Sequence, residues 1–235
     1  MAREVVIVGA ARTAVGAFQG ALSSLTAPQL GAVAIKAALE RAGVKAEQVE
    51  QVIMGNVLTA GVGQAPARQA ALGAGLPNTV PCVTVNKVCG SGLQAVVQAY
   101  QAIALGEADV VVAGGQESMS NAPYISMQLR NGARMGHVEF KDSMMSDGLT
   151  DAYDNVAMGV CAEQCATDMK ISRAAQDEFA TESTNRAIRS QKEGLFKNEI
   201  VAVSVPQKKG DPVLVTEDEG PKNAKPEKKI GRAHV

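Results

Sequence analysis

A cysteine followed by a Gly-Ser-Gly turn is the group in this sequence best suited to covalent chemistry. The segment VNKVCGSGL at residues 85–93 joins a strand-like run to an apolar helical run, so Cys89 stands where a helix is predicted to begin. A thiol there lies near the positive end of the helix dipole, and the unpaired amides can hydrogen-bond a developing oxyanion. Gly90 and Gly92 leave room for a substrate. The pattern is typical of a nucleophile elbow that carries cysteine.

Two other interpretations of this segment must be weighed. Free cysteines are usually small, buried and inert, so Cys89 could be a core residue. Gly-Ser-Gly also resembles part of a phosphate-binding loop. However, no Gly-Lys-[Ser/Thr] follows it, and the turn GAARTA at residues 9–14 is not a GxGxxG fingerprint. The residues therefore disfavour a nucleotide cofactor and leave the nucleophile and the buried thiol open.

The remaining cysteines are Cys82, Cys161 and Cys165. The chain passes from Met1 into an apolar run at residues 5–8 without a signal peptide, so we expect a cytoplasmic setting with free thiols. Cys161 and Cys165 are one helical turn apart, but no second Cys or His pair completes a ligand set. We expect them to pack within a helix, and we expect no metal and no cofactor.

Composition argues for a globular protein that binds neither nucleic acid nor membranes. The chain has 235 residues, of which 46% are hydrophobic, and its net charge is −1. The uncharged stretch 88–106 approaches the length of a membrane span. Its glutamines, however, form one narrow polar stripe on the helix. We therefore expect a helix buried on nearly all sides inside a soluble protein.

Strand and helix signals alternate in the first half of the chain and indicate an α/β fold with a parallel sheet. After Ser118 this alternation is lost, and residues 119–229 are predicted to form a separate, looser domain from the first domain, 1–118. Predicted strands are 5–9, 51–54, 80–85, 109–113 and 199–205. Predicted helices are 28–43, 66–75, from 89 onward, 158–169 and 172–193.

Several motifs resemble those of the thiolase family and occur in the same order along the chain. They cover nearly the whole chain. VNKVCGSGLQA at residues 85–95 is similar to the motif around the acyl-carrying cysteine of that family, and its NKVC form is most similar to acetyl-CoA acetyltransferases. The other motifs are VVIVGAARTAVGAF at 5–18, GQAPARQAA at 63–71, AGGQESMSNAPY at 113–124, DGLTDAY at 147–153, SRAAQDEFATES at 172–183 and FKNEIVAV at 196–203.

The resemblance implies a fold, a substrate and site residues. The thiolase fold is a pair of α/β halves with a loop domain inserted in the first, so this chain would supply the first half and the insertion. Cys89 would carry the acyl group taken from acetyl-CoA or acetoacetyl-CoA, and the complete protein would be a homo-oligomer. Leu149 and Met158 would line the path of the pantetheine arm, although simple packing explains both equally well. Lys222 would lie near the nucleotide end of coenzyme A.

Two departures from the family pattern keep alternatives open. Ala157 stands where short-chain members usually carry histidine, and Gln116 replaces the usual methionine. Ala157 leaves a longer-chain 3-ketoacyl-CoA thiolase as an alternative. A non-catalytic module that binds coenzyme A or a thiolase partner is a third possibility.

Three motifs that the family uses for catalysis do not occur in this sequence. They are Gly-His-Pro, Cys-[Ile/Val]-Gly-Gly-Gly and Asn-Glu-Ala-Phe. The only histidines are His137 and His234, and neither of them lies in a Gly-His-Pro motif. We therefore expect this chain to be a catalytically incomplete fragment. The final residues, 230–235, depart from thiolase sequence and match the translation of a sequencing adapter, so we expect them to be a non-native tail.

Overall fold

The computed structural model describes residues 3–223 and has an α/β core, as predicted. Its main sheet has three parallel strands in the order β3-β2-β4. The strands are β1 Arg12–Thr13, β2 Gln51–Gly55, β3 Cys82–Val85, β4 Val111–Gly115, β5 Tyr124–Ile125, β6 Lys141–Asp142, β7 Ile200–Val201, β8 Val203–Val205 and β9 Val213–Val215. The helices are α1 Ala27–Ala42, α2 Pro66–Gly73, α3 Ser91–Leu105, α4 Met158–Asp168, α5 Arg173–Lys192 and α6 Glu219–Asn223.

The central strand β2 has helices on both of its faces. Val52 and Met54 pack with α1 and α2 in one cluster, whereas Ile53 packs with Ala95 and Ala99 of α3 in another. This alternation follows from the period of two along a strand, and burial of both faces explains why β2 is almost wholly apolar. The sheet is thereby fixed between two helical layers.

Local signals at the ends of α1 confirm the prediction for that helix. The Thr26 side chain accepts a hydrogen bond from the Gln29 amide, and the Gln29 side chain returns to the Thr26 amide as a capping box. Gly43 ends the helix in the left-handed conformation, with φ 64°.

The predicted strand at residues 5–9 is wrong. Val6, Ile7 and Val8 are exposed by 64%, 81% and 65%, and the segment belongs to no strand of the described structure. A strand needs a neighbour that accepts and donates its backbone hydrogen bonds, and residues 3–223 provide none here. Pairing begins only at β1, which joins β7 in parallel.

The prediction that α3 is buried on nearly all sides is also wrong. Ala95, Ala99 and Ala102 are buried against the sheet, but Leu93, Tyr100 and Leu105 are exposed by 71%, 53% and 76%. The sheet covers only one side of the helix, and no other described element covers the opposite side.

After α5 the chain returns to the core. The single strand predicted at residues 199–205 is there two shorter strands, β7 and β8. β7 pairs with β1, whereas β8 forms an antiparallel hairpin with β9, so the chain changes partner at Ala202. Val203, Val205 and Val215 of this hairpin pack with a second apolar cluster beside α1.

Whether residues 119–229 form a separate domain stays a prediction, and the expected tail 230–235 lies outside the described residues.

Arg12 ties the start of the chain to this returning segment. Its guanidinium donates to Asp218 at 2.7 and 3.0 Å and to Glu199 at 2.8 Å, and it lies 5.1 Å from the centre of the Phe196 ring. Asp218 also accepts the Val15 amide at 2.8 Å. These hydrogen bonds, the Arg12 bond first, hold the pKa of the Asp218 carboxyl below its usual range, although partial burial opposes them.

Candidate active site

The three parallel strands end at one level and bring their following loops together. Gly55 of β2 pairs in register with Val85 of β3 and with Gly115 of β4. In parallel sheets the carboxyl ends of the strands form the usual place for a ligand. The loops after β2, β3 and β4 therefore build the candidate site.

Cys89 lies in the turn between β3 and α3 and is an exposed free thiol. The interpretation of Cys89 as a buried core residue is therefore wrong. The helix begins at Ser91 with Gly90 as its N-cap, slightly later than predicted, so Cys89 immediately precedes the cap. Its thiol still adjoins the helix N-terminus, where amide groups lack intrahelical acceptors.

Hydrogen bonds from two side chains fix the turn that carries Cys89. The Ser91 hydroxyl accepts the Lys87 amide at 2.8 Å and donates to the Val88 carbonyl at 2.6 Å. Asn86 accepts the Val88 amide at 2.9 Å. Because Ser91 is only 4% exposed and engaged on both sides, it is unsuited to nucleophilic attack. Of the two side chains, only Cys89 is exposed and free to meet a ligand in the pocket.

A pocket of about 430 Å³ opens beside Cys89. Apolar side chains make up much of its wall, which suits an aliphatic or acyl group better than a phosphate. Leu149 lies in this wall together with Cys89. The other apolar wall residues are Val57, Leu58, Val88, Met119 and Met144.

Glu117 fixes part of the pocket wall through hydrogen bonds to residues 56–58. Its carboxylate accepts the Asn56 side-chain amide at 2.7 Å and the backbone amides of Val57 and Leu58 at 2.8 and 3.1 Å. Sequence reasoning missed this role, as it missed that of Ser91. The available signal was the position of Glu117 two residues after the end of β4, where the loops of neighbouring parallel strands converge.

The other candidates lie apart from this pocket. Met158 is the first residue of α4 and is 47% exposed, and it does not line the pocket. Lys222 lies on α6, where its ammonium group pairs with Glu217 at 2.6 Å. His137 is exposed in a loop and does not line the pocket either. The structure therefore brings Cys89 and Leu149 together but not the other three residues.

Two further kinds of feature are absent from residues 3–223. No cluster of three or more His, Cys, Asp or Glu side chains there has an arrangement suited to a metal ion. None of the described helices is both long enough and apolar enough to span a bilayer.

Comparison with known proteins gives a consistent result. The family model for the thiolase N-terminal domain matches residues 5–231. An acetyl-CoA acetyltransferase of Cupriavidus necator is 60% identical over 92% of this chain and 55% of its own length. One from Schizosaccharomyces pombe is 53% identical over 96% of the chain and 57% of its own length. Acetyl-CoA acetyltransferase 2 of Arabidopsis thaliana is 54% identical over 93% of the chain and 54% of its own length. The chain thus spans about half the length of these curated relatives.

Proposed function

Because this chain belongs to the thiolase family, we propose that it is the cysteine-bearing part of an acetyl-CoA acetyltransferase. The observation that carries the proposal is the exposed Cys89 thiol, which lines a largely apolar pocket at the N-terminus of α3. The similarity to acetyl-CoA acetyltransferases supports acetyl-CoA and acetoacetyl-CoA as the substrates.

The proposed first half-reaction is acyl transfer to Cys89. The Cys89 thiolate attacks the thioester carbonyl carbon, a new carbon–sulfur bond forms, and the bond to the coenzyme A sulfur breaks. The coenzyme A thiolate leaves and takes up the proton that Cys89 lost. Amide groups at the start of α3 would stabilise the negative oxygen of the tetrahedral intermediate.

The second half-reaction needs a base that this pocket does not offer in free form, because Glu117, the carboxylate in its wall, already accepts three N–H groups. A base must remove a proton from the α-carbon of a second acetyl-CoA before that carbon attacks the acetyl group on Cys89. General acid–base groups typically contribute about 10²- to 10⁴-fold in rate. Since His137 is exposed away from the pocket, we propose that the chain alone carries out only the first half-reaction.

Coenzyme A would extend from the pocket toward the later part of the chain. Leu149 in the pocket wall supports a contact with the apolar end of the pantetheine arm. Met158 would contact the arm further out, and Lys222 would meet a phosphate group. Lys222 would have to exchange Glu217 for that phosphate, and its exposed position permits this.

We further propose that the complete protein covers the apolar side chains exposed on residues 6–8 and on α3. Val6, Ile7 and Val8 are largely exposed, as are Leu93 and Leu105 of α3. Exposed apolar surface of this kind favours association. The remaining half of the enzyme and a second subunit are the proposed partners.

Incubation with acetyl-CoA followed by peptide mass analysis tests the first half-reaction. We expect one acetyl group on Cys89, no acetylation of Cys89→Ala, and unchanged acetylation of Cys165→Ala, the control at an exposed cysteine outside the pocket. Acetylation only at other residues would contradict the proposal.

Steady-state cleavage of acetoacetyl-CoA tests the division between the two half-reactions. We expect no turnover by the chain alone and turnover after fusion to the C-terminal half of an acetyl-CoA acetyltransferase. Turnover by the unfused chain that Cys89→Ala abolishes would mean that residues of this chain supply the second base. A preference of the fusion for long 3-ketoacyl-CoA would favour the longer-chain alternative.

A further inference from the structure

Val88, the residue before Cys89, has a backbone conformation that valine rarely adopts. Its φ is 48°, in the left-handed region, where a β-branched side chain is a clear outlier. Its side chain is 51% exposed, so packing around the side chain does not impose this conformation. The hydrogen bonds of the turn must therefore hold it.

Ser91 makes the hydrogen bonds that enclose Val88 from both sides. Its oxygen accepts the amide of Lys87, which precedes Val88, at 2.8 Å, and its proton goes to the carbonyl of Val88 itself at 2.6 Å. The backbone amide of Ser91 also donates to that carbonyl at 3.1 Å. Ser91 thus fixes the carbonyl of Val88 and the amide one residue before it, while the amide of Val88 itself donates to the Asn86 side chain at 2.9 Å.

These bonds do not cap the helix to which Ser91 belongs. The N-cap of α3 is Gly90, which has no side chain to offer, and both partners of the Ser91 hydroxyl lie before the helix. A capping serine would instead accept an amide of the first turn of its own helix. The hydroxyl therefore acts on the cysteine turn and not on the helix end.

We infer that Ser91 is a positioning residue whose hydroxyl holds Val88 in the left-handed conformation that directs the Cys89 thiol into the pocket. The inference rests on the proposed role of Cys89 as acyl acceptor. If the hydroxyl is removed, Val88 can relax toward the ordinary β or α region, and the rotation of its backbone swings Cys89 away from the start of α3.

Substitution at Val88 separates positioning from a general structural role. Glycine adopts positive φ without a steric penalty, so a turn with glycine at position 88 does not need the serine to hold it. The experiment measures the rate of Cys89 alkylation by iodoacetamide, followed by peptide mass analysis, in the whole chain. The variants are Ser91→Ala, Val88→Gly, the double variant and Ser24→Ala, which changes an exposed serine that does not line the pocket. Urea denaturation establishes which variants are folded.

The expected result is a loss with Ser91→Ala and a recovery in the double variant. Ser91→Ala should slow alkylation of Cys89 about tenfold, since small displacements of a reacting group cost one to two orders of magnitude. Ser24→Ala should stay within about twofold of the parent. Val88→Gly sets the reference rate for the double variant, which should stay within about threefold of it because glycine holds the turn unaided.

Each other outcome also decides the question. A folded Ser91→Ala chain with the parent rate would overturn the inference, and so would a double variant as slow as Ser91→Ala. If Ser91→Ala fails to fold, a folded double variant supports the inference, whereas an unfolded double variant contradicts it. If the four rates follow the expected pattern but acetyl-CoA does not acetylate Cys89, the proposed function fails and the role of Ser91 stands.

Discussion

A β-carbon built on Gly55 would lie 2.7 Å from the β-carbon of Ser91 and 2.6 Å from the backbone nitrogen of Gly92. The end of the central strand and the start of α3 are thus in direct backbone contact. This contact sets how deeply the helix N-terminus enters the site, and it explains why β2 ends in glycine.

Gly55→Ala should displace the start of α3. We expect it to lower the free energy of unfolding by about 1–3 kcal/mol, the usual cost of overpacking, and to slow alkylation of Cys89. Gly114→Ala on the neighbouring strand is the matched control, because its new methyl would meet only the Met54 side chain, at 3.6 Å. Equal stability of the two variants in urea would contradict the prediction.

Glu117→Gln should loosen the pocket wall opposite Cys89. The two oxygens of Glu117 face three N–H donors, so an amide in its place would point its NH₂ group at a donor. We expect a loss of about 1–3 kcal/mol in urea denaturation, in line with an unsatisfied partly buried polar group. The exposed Glu163→Gln serves as the control and should change little. A Glu117→Gln chain as stable as the parent would disprove this role.

The Arg12–Asp218 pair should make stability depend on acid pH. The pKa of Asp218 is lowered in the folded chain. The ionised carboxylate therefore contributes fully to the free energy of unfolding above the ordinary pKa of 3.8, and this contribution is lost as pH falls through the lowered pKa. Asp218→Asn should therefore reduce the free energy of unfolding at neutral pH. It should also flatten the decline in the free energy of unfolding as pH falls below 3.8.

Urea denaturation across this pH range provides the check, with Glu217→Gln as the control. The pKa of Glu217 is also lowered, first by Lys222, but this pair lies at the surface and should contribute little. An Asp218→Asn chain that loses stability in acid as steeply as the parent would refute the assignment.

The cysteines should differ in their rates of alkylation. Burial raises the pKa of the Cys82 thiol, although Arg68 opposes it, so less of the reactive thiolate exists at neutral pH. Cys82 should therefore react slowest with limiting iodoacetamide, and the exposed Cys89 fastest. Dominant labelling of Cys161 or Cys165 would count against Cys89 as the activated thiol. Arg68→Ala should slow Cys82 further.

The parts of the fold that could be predicted from the sequence are those encoded by neighbouring residues. Thr26 and Gly43 mark the ends of α1, and the short apolar run at residues 52–54, closed by Gly55, indicates β2. Residues 5–9 have equally strong strand character, yet they remain unpaired because pairing depends on residues far along the chain.

The candidate site likewise combines features that neighbouring residues encode with features that depend on the folded chain. Cys89 can be proposed from the sequence because the glycines and the predicted helix surround it there. The roles of Ser91 and Glu117 cannot, since both depend on which backbone groups the folded loops bring near them. The positive φ of Val88 was even less accessible, because valine disfavours it and only the surrounding hydrogen bonds impose it.

The pairing of β1 with β7 has a consequence for the order of events during synthesis. All three strands of the main sheet and the helices α1 to α3 are present once residue 115 has been added, whereas β1 waits for residue 201. At ordinary translation rates the 86 intervening residues take roughly 4 to 17 s. The turn that carries Cys89 can therefore form on the ribosome while Arg12 still lacks both of its acidic partners, Glu199 and Asp218. Nascent chains arrested near residue 150 would carry a formed cysteine turn and an unattached N-terminal segment, which limited proteolysis of stalled ribosome complexes would cleave first.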